Sequence, residues 1–273
     1  MKKFNIVFCV LTYKNHTDLL EFISGLEEND VVNFSYKIIV VNNYADDPSL
    51  EKIREIAISN NCDFIESENK GYSNGNNLGV EYAKENYDYD YLVVCNPDTI
   101  IQKFDFNKLD HSKKGIIAPE IICLNNKRQN PMYFSYMPLS EKVVYFGFKN
   151  RSKFLLYSGI ALNKISRAIK RGWMALFRKK ETKVYSCHGS YIIFSRHAIE
   201  KLYPVFDDNI FLFCEESDLA RKALKNNIDI TFNKDIVILH KEDGSMNLSN
   251  KNLLEIQRDS YLYYYKKWND IKG

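Results

Sequence analysis

Three things are scarce in this sequence, and each scarcity narrows what it can be. The six cysteines, Cys9, Cys62, Cys95, Cys123, Cys187 and Cys214, are scattered, and no two form a CxxC pair. Cys9, Cys62 and Cys95 lie in or beside apolar runs, where a free thiol behaves as a small hydrophobe. That usage fits a reducing compartment and argues against a secreted disulfide scaffold. No run of about 18 apolar residues occurs, so no helical membrane span is expected. The apolar stretch at residues 6–11 is too short for a signal peptide, and no small-residue cleavage site follows it. A cytoplasmic protein is expected, peripheral at most at the inner face of the membrane. Net charge is also small, a formal +3 over 273 residues, which gives no broad field for nucleic acid.

What is present describes one globular domain. A chain of 273 residues can bury one sizeable core, or one domain with a modest extension. Hydrophobic residues make up 45% and charged residues 27%, both ordinary for a soluble fold. Aromatics reach 14%, mostly 19 Tyr and 17 Phe, a supply that serves sugar sites and ordinary cores alike. Charge is unevenly placed. Residues 149–180 hold ten Lys or Arg and no Asp or Glu, and setting those ten aside turns the formal +3 into −7.

The first hundred residues alternate between two periods. Apolar strand-like runs at 4–11, 36–41, 62–65 and 91–95 are separated by helical spacings at 16–26, 50–58 and 74–84. Short apolar strands joined by helices of that length predict an α/β fold, with a mostly parallel central sheet flanked by helices. Residues 1–124 read as a Rossmann-like nucleotide-binding half. Residues 125–184 break the rhythm and read as a basic, partly helical insertion. Order returns over 185–273, with strands at 189–195, 228–232 and 236–239, a helix at 215–225 and a C-terminal helix at about 250–267. In open sheets of this kind ligands sit at the carboxyl ends of the strands. Here those ends are polar: Thr12-Tyr13, Asn42-Asn43 and Asn96-Pro97-Asp98.

Four motifs carry candidate chemistry. Asn96-Pro97-Asp98 places a carboxylate at a strand end, where it could hold Mg²⁺ or Mn²⁺ against a diphosphate, although the same residues also make turns. The stretch from Asn69 through Gly71, Asn77 and Gly79 precedes a helix, and its glycine spacing matches neither GxGxxG nor a P-loop. Small residues there let backbone approach a ligand at a helix start, or simply make a flexible cap. The run from Phe206 to Arg221 concentrates five acids: Asp207, Asp208, Glu215, Glu216 and Asp218. Such acids either complement a helix dipole or supply a general base. His240 follows an apolar run, and an imidazole there is either structural or a ligand for Mn²⁺.

The order and spacing of these pieces resemble family 2 glycosyltransferases of the GT-A fold, in particular the bacterial rhamnosyltransferase-like branch of surface-polysaccharide enzymes. The resemblance covers roughly residues 4–123 and 185–267. It implies a divalent metal and inverting transfer of a sugar from a UDP- or dTDP-sugar to a saccharide or lipid-linked saccharide. It also assigns roles. Thr12, Tyr13, Asn42, Asn69, Gly71, Asn77, Asn96 and Asp98 would bind the sugar nucleotide. Asp98 and His240 would hold the metal. Glu216 or Glu215 would be the base, and Asp208 and Asp218 would lie on the acceptor side. Two positions depart from the family pattern. Asn42 stands where an Asp reads the base, and Glu216 stands where an Asp takes the proton.

Within 149–180, Leu162, Ile165, Ile169, Trp173, Leu176 and Phe177 recur at helical spacing, with Lys164, Arg167, Lys170, Arg171 and Arg178 mainly between them. This pattern is that of an interfacial helix on an anionic membrane, or of a helix packed on the domain with a solvated basic face. Two rival functions remain. A nucleotidyltransferase would carry a Gly-rich basic loop after its first strand, where this chain has Thr12-Tyr13-Lys14-Asn15-His16. A non-catalytic donor-binding or partner subunit has only the departures at Asn42 and Glu216 in its favour.

Overall fold

A computed structural model describes residues 1–27, 33–44, 48–110, 114–242 and 250–269. The sheet is built from its most apolar runs. Strand β1 (Lys2–Thr12) lies between β2 (Tyr36–Tyr44) and β4 (Tyr87–Cys95), both parallel to it, and β3 (Asp63–Glu68) extends β2 in parallel. Ile6 through Val10 of β1 are buried on both faces, as strands covered by helices must be. Side chains alternate across the strand. Ile6, Phe8 and Val10 join the core under α1 (His16–Glu27) and α2 (Ser49–Ser59), through Leu19, Phe22, Ile23, Ile53 and Ala57. Val7 and Cys9 face the other way, toward Val80 and Ala83 of α3 (Tyr72–Asn86).

Beyond β4 the pairing is mixed. Strand β8 (Tyr191–Ser195) runs antiparallel to β4, and β6 (Ile116–Cys123) runs antiparallel to β8. Strand β9 (Ile230–His240) is parallel to β6, and both β5 (Thr99–Lys103) and β7 (Glu181–Val184) are antiparallel to β9. These directions bring the carboxyl ends of β1, β2, β4, β6 and β9 to one edge of the sheet. The amino ends of β5 and β8 reach the same edge.

The helix at Glu215–Lys225, α7, has the bounds its acids and spacing predicted. Helix α3 begins two residues before its expected start. The two expected late strands are one. Asn233, Lys234 and Asp235 look like a break in the sequence, but β9 crosses them as a bulge, with its register against β6 shifting after Pro119. Strands β5, β6 and β7 carry no expectation from sequence. The insertion expected at 125–184 contains α4 (Pro138–Lys149) and α5 (Lys153–Leu176), α6 (Arg196–Leu202) follows β8, and the last helix, α8, spans Asn250–Trp268. All six cysteines are free, and no described helix is long and apolar enough to cross a membrane.

Candidate active site

The polar edge of the sheet opens into a cleft of about 710 Å³, a size suited to a small ligand. Nine of the thirteen expected residues line it. Thr12 and Tyr13 come from the end of β1, Asn69 and Gly71 from the turn before α3, and Asn96 and Asp98 from the end of β4. Glu215 and Glu216 open α7, and His240 closes β9.

At one end of the cleft the polar groups are organised by backbone. Gly71 has φ +101°, and a Cβ there would stand 2.3 Å from the Phe211 carbonyl oxygen, so only glycine fits. The Tyr72 N–H donates to that same oxygen at 2.7 Å, which ties the start of α3 to the segment before α7. Asn69 Oδ1 accepts from the Gly71 N–H at 3.1 Å. No side chain caps α3, so its positive end is presented beside the cleft, where an anionic group would be stabilised. Asn43 Nδ2 donates to the Gly71 carbonyl at 3.0 Å, while its buried Oδ1 has no partner.

Asp98 and His240 meet on the other wall. His240 Nε2 lies 3.3 Å from Asp98 Oδ2, and both side chains are buried. His240 Nδ1 lies 2.8 Å from Gln129 Oε1, and Gln129 Nε2 donates to Glu242 Oε1 at 2.7 Å. The amide donating to Glu242 fixes Gln129 with its oxygen toward the ring. In a neutral ring the proton would then sit on Nδ1 and Nε2 would turn its lone pair toward the Asp98 carboxylate. Nε2 and Oδ2 at that distance either share a proton as an ion pair or, with the ring neutral, offer two ligand atoms to a cation. Imidazole nitrogen with carboxylate oxygen is a donor set that suits Mn²⁺. The arrangement is the usual one for a ligating histidine, held by a hydrogen bond from its other nitrogen. Cys123, His240 and Glu242 form a second possible set, with ligand atoms within 4.8 Å of one another. Its thiol favours softer ions, and Glu242 is already engaged by Gln129 and Lys127.

Glu215 and Glu216 have a different environment. The chain enters α7 through Phe213 and Cys214, both left-handed at φ +68° and +72°. Two successive non-glycine residues in that region are strained, and strain of this kind concentrates at functional sites. Burial pushes the Glu215 carboxyl well above the ordinary glutamate range, and the neighbouring Glu216 charge adds to the rise. Glu215 Oε2 is buried with no hydrogen-bond partner. Burial raises Glu216 as well, but its Oε1 accepts from the Gly189 N–H at 3.1 Å, which works in the opposite direction. His188 lines the cleft too, and burial lowers it to about 3.

Four expected residues are occupied elsewhere. Asn42 is buried beneath Thr12, whose hydroxyl donates to its Oδ1 at 3.0 Å, and its neighbour Asn43 lines the cleft instead. Asn77 accepts from the Phe206 N–H and donates to the Phe206 carbonyl and to Asp208 at 2.8 Å, so both serve as a brace. Asp218 is buried against α8, where it accepts from Lys267 at 2.7 Å and Trp268 at 2.6 Å. An acceptor-side role for Asp208 and Asp218 therefore has no geometric support. Sequence reasoning missed Gln129, Asn43, Tyr72 and His188. Asn43 had a signal, since it stands beside Asn42 at a strand end; Gln129 had none.

No family model matches the chain. Two curated proteins are similar in sequence. The low-salt glycan biosynthesis hexosyltransferase Agl10 of Haloferax volcanii is 26% identical over 210 residues, 74% of this chain and 60% of that protein. The rhamnosyltransferase WbbL of Escherichia coli is 26% identical over 221 residues, 79% of this chain and 75% of that protein. The chain thus spans little more than half the length of the first relative. Among solved structures, the mannosyltransferase PcManGT of Pyrobaculum calidifontis, in complex with GDP-Man and Mn²⁺, is similar with TM-score 0.56 at 14% identity, over all of this chain and 66% of that one. GalNAc-T7, solved with UDP, GalNAc and Mn²⁺, gives 0.59 at 11% identity over 95% of this chain and 50% of that one. S. aureus TarS gives 0.54 at 13% identity, over 92% of this chain and 38% of that one. The fold is that of the GT-A glycosyltransferases.

Proposed function

We propose that this chain, a family 2 glycosyltransferase of the GT-A fold, moves a hexose from a UDP- or dTDP-sugar to a hydroxyl of a saccharide or lipid-linked saccharide in cell-surface polysaccharide synthesis. The observation that carries this reading is the convergence of two unlike ionisable pairs, Asp98 with His240 and Glu215 with Glu216, on one cleft. The relatives named for hexosyl and rhamnosyl transfer support it, and so do the two neighbours solved with nucleotide ligands and Mn²⁺.

Asp98 Oδ2 and His240 Nε2 would hold Mn²⁺ or Mg²⁺. The cation, when bound, supplies a Lewis acid beside the leaving diphosphate. Gln129 keeps the His240 ring turned so that Nε2 faces that position. Thr12, Tyr13 and Asn43 line the wall for the nucleoside, and the amino end of α3 at Gly71 and Tyr72 suits a phosphate. Glu216 removes the proton from the acceptor hydroxyl as its oxygen attacks the anomeric carbon. The bond from that carbon to the donor's phosphate oxygen breaks on the opposite face, which inverts the configuration. Glu215 keeps its own proton. A protonated Glu215 beside an ionised Glu216 separates hydrogen-bond donor from base, since two adjacent buried carboxylates resist joint ionisation. A sugar hydroxyl entering the cleft would give Glu215 Oε2 the partner it lacks.

The test is a transfer assay over UDP-, dTDP- and GDP-sugars with Mn²⁺ or Mg²⁺, run beside Asp98→Asn. At least one donor should turn over in a metal-dependent way and lose that turnover in the variant. Metal-independent turnover, or an unaffected variant, would sink the assignment of Asp98.

A further inference from the structure

Helix α5 presents its apolar side to solvent. Phe154, Tyr157, Ile165, Ile169 and Leu176 recur at helical spacing along one face and are 58–78% exposed. A helix lying on a domain normally points such a face inward. Here the inward face is made of other groups. Gly159 packs on α4, where an added Cβ would stand 2.4 Å from Val144, and Met174 is buried. Arg167 donates to the carbonyls of Arg128 and Gln129 at 3.0 and 3.1 Å, and Asn163 to that of Met132 at 3.1 Å. Arg171 pairs with buried Glu120 at 3.1 Å and also donates to the Asn130 carbonyl. Two of the cations that sequence would give to a membrane are thus bolts that fasten the helix to the domain.

We propose that this outer face of α5 docks the protein on an anionic lipid bilayer. Lys164 borders the apolar stripe, Trp173 and Phe177 meet at a tilt near its end, and Lys179 lies over the Trp173 ring at 4.5 Å. Apolar residues for the acyl boundary beside cations for headgroups are the composition of an interfacial helix. Residues 149–180 contain no acid. A symmetric pair of copies meeting through this face would set cations against cations, so charge favours the lipid surface over a second copy. The segment that α5 grips, residues 128–132, carries Gln129 and through it His240. A docked helix would therefore tether the cleft to the bilayer through that segment. Docking itself does not depend on the transferase reading, and vesicle binding is read without turnover.

The experiment is co-sedimentation with phosphatidylcholine vesicles, with and without phosphatidylglycerol, together with size-exclusion chromatography. The whole chain should pellet with the anionic vesicles and much less with the neutral ones. Ile165→Glu with Ile169→Glu, both on the exposed face, should lower partitioning about a hundred-fold. Lys164→Gln with Lys179→Gln should lower it roughly thirty-fold on anionic vesicles only, and added salt should mimic that loss. Both variants should keep their activity on a short soluble acceptor. No pelleting of the unaltered chain, or equal pelleting of the Ile165→Glu, Ile169→Glu variant, overturns the proposal. So does a dimer that the apolar variant dissociates without any vesicle binding, which would make the face a contact between copies.

Discussion

Asp98 and His240 reach the cleft from the ends of two strands, and each ring nitrogen of the histidine has a place in a continuous chain: Glu242, Gln129, His240, Asp98. Glu215 and Glu216 reach it from the first turn of a helix entered through two left-handed residues, with one carboxyl oxygen left unpartnered. The first pair is wired in place, and its donor atoms face one another. The second pair is desolvated, and the Glu216 charge adds to the rise that burial gives Glu215. Fixed donors with complementary hydrogen bonds suit a site that must hold a cation in one geometry. Buried, mutually repelling carboxyls suit a site that must take up a proton near neutral pH. One cleft thus contains two solutions to burying charge, and under the proposed function the difference between them would divide the labour of the reaction.

Breaking the wiring of the first pair should have a larger effect than relieving the second at Glu215. Gln129→Leu keeps the volume but removes the acceptor for His240 Nδ1–H, freeing the ring to turn. Metal affinity should fall about 10- to 100-fold, the usual cost of losing such a partner. Saturating Mn²⁺ should restore most of the turnover, because Asp98 and His240 are still present. A Mn²⁺ titration of activity reads this directly, and an unshifted midpoint would mean that Gln129 does not orient the histidine.

Relieving the second pair should sharpen the contrast in the opposite direction. The folded state keeps the Glu215 proton at pH values where the unfolded chain, with a glutamate near 4.3, releases it. Stability from this group is therefore full below about pH 4.3 and is lost as pH rises toward the folded-state value. Glu215→Gln removes the titration and should raise Tm by roughly 2–4 °C at pH 8, and by less at pH 5. Thermal unfolding at both pH values is the check, and a variant that is less stable at pH 8 would show that Glu215 is not a strained carboxyl.

The same contrast explains what the sequence could disclose. The apolar runs of β1, β2 and β4 and the polar residues that end them are local signals, and they located Thr12, Asp98 and the edge of the cleft. The acids opening α7 were equally local, and the helix begins where they stand. Which acid faces the cleft was not local. Asp218 is claimed by Lys267 and Trp268, about fifty residues away. Asn42 and Asn43 differ only in which side of β2 they occupy, since adjacent strand residues point to opposite faces. Gln129 meets His240 across 111 residues of chain, and nothing in its own neighbourhood marks it. For α5 the spacing announced an amphipathic helix, but the inward contacts of Arg167 and Arg171 decided which face stays outside.

The division of labour itself is tested most directly in Glu216→Gln, by measuring Mn²⁺-dependent donor binding and turnover on the same preparation. The account predicts donor affinity close to that of the unaltered chain, with turnover lower by about 10³-fold, because only the proton acceptor is removed. Loss of Mn²⁺-dependent donor binding along with turnover would contradict it by showing that Glu216 serves the metal site, and undiminished turnover would contradict it by showing that the proton goes elsewhere.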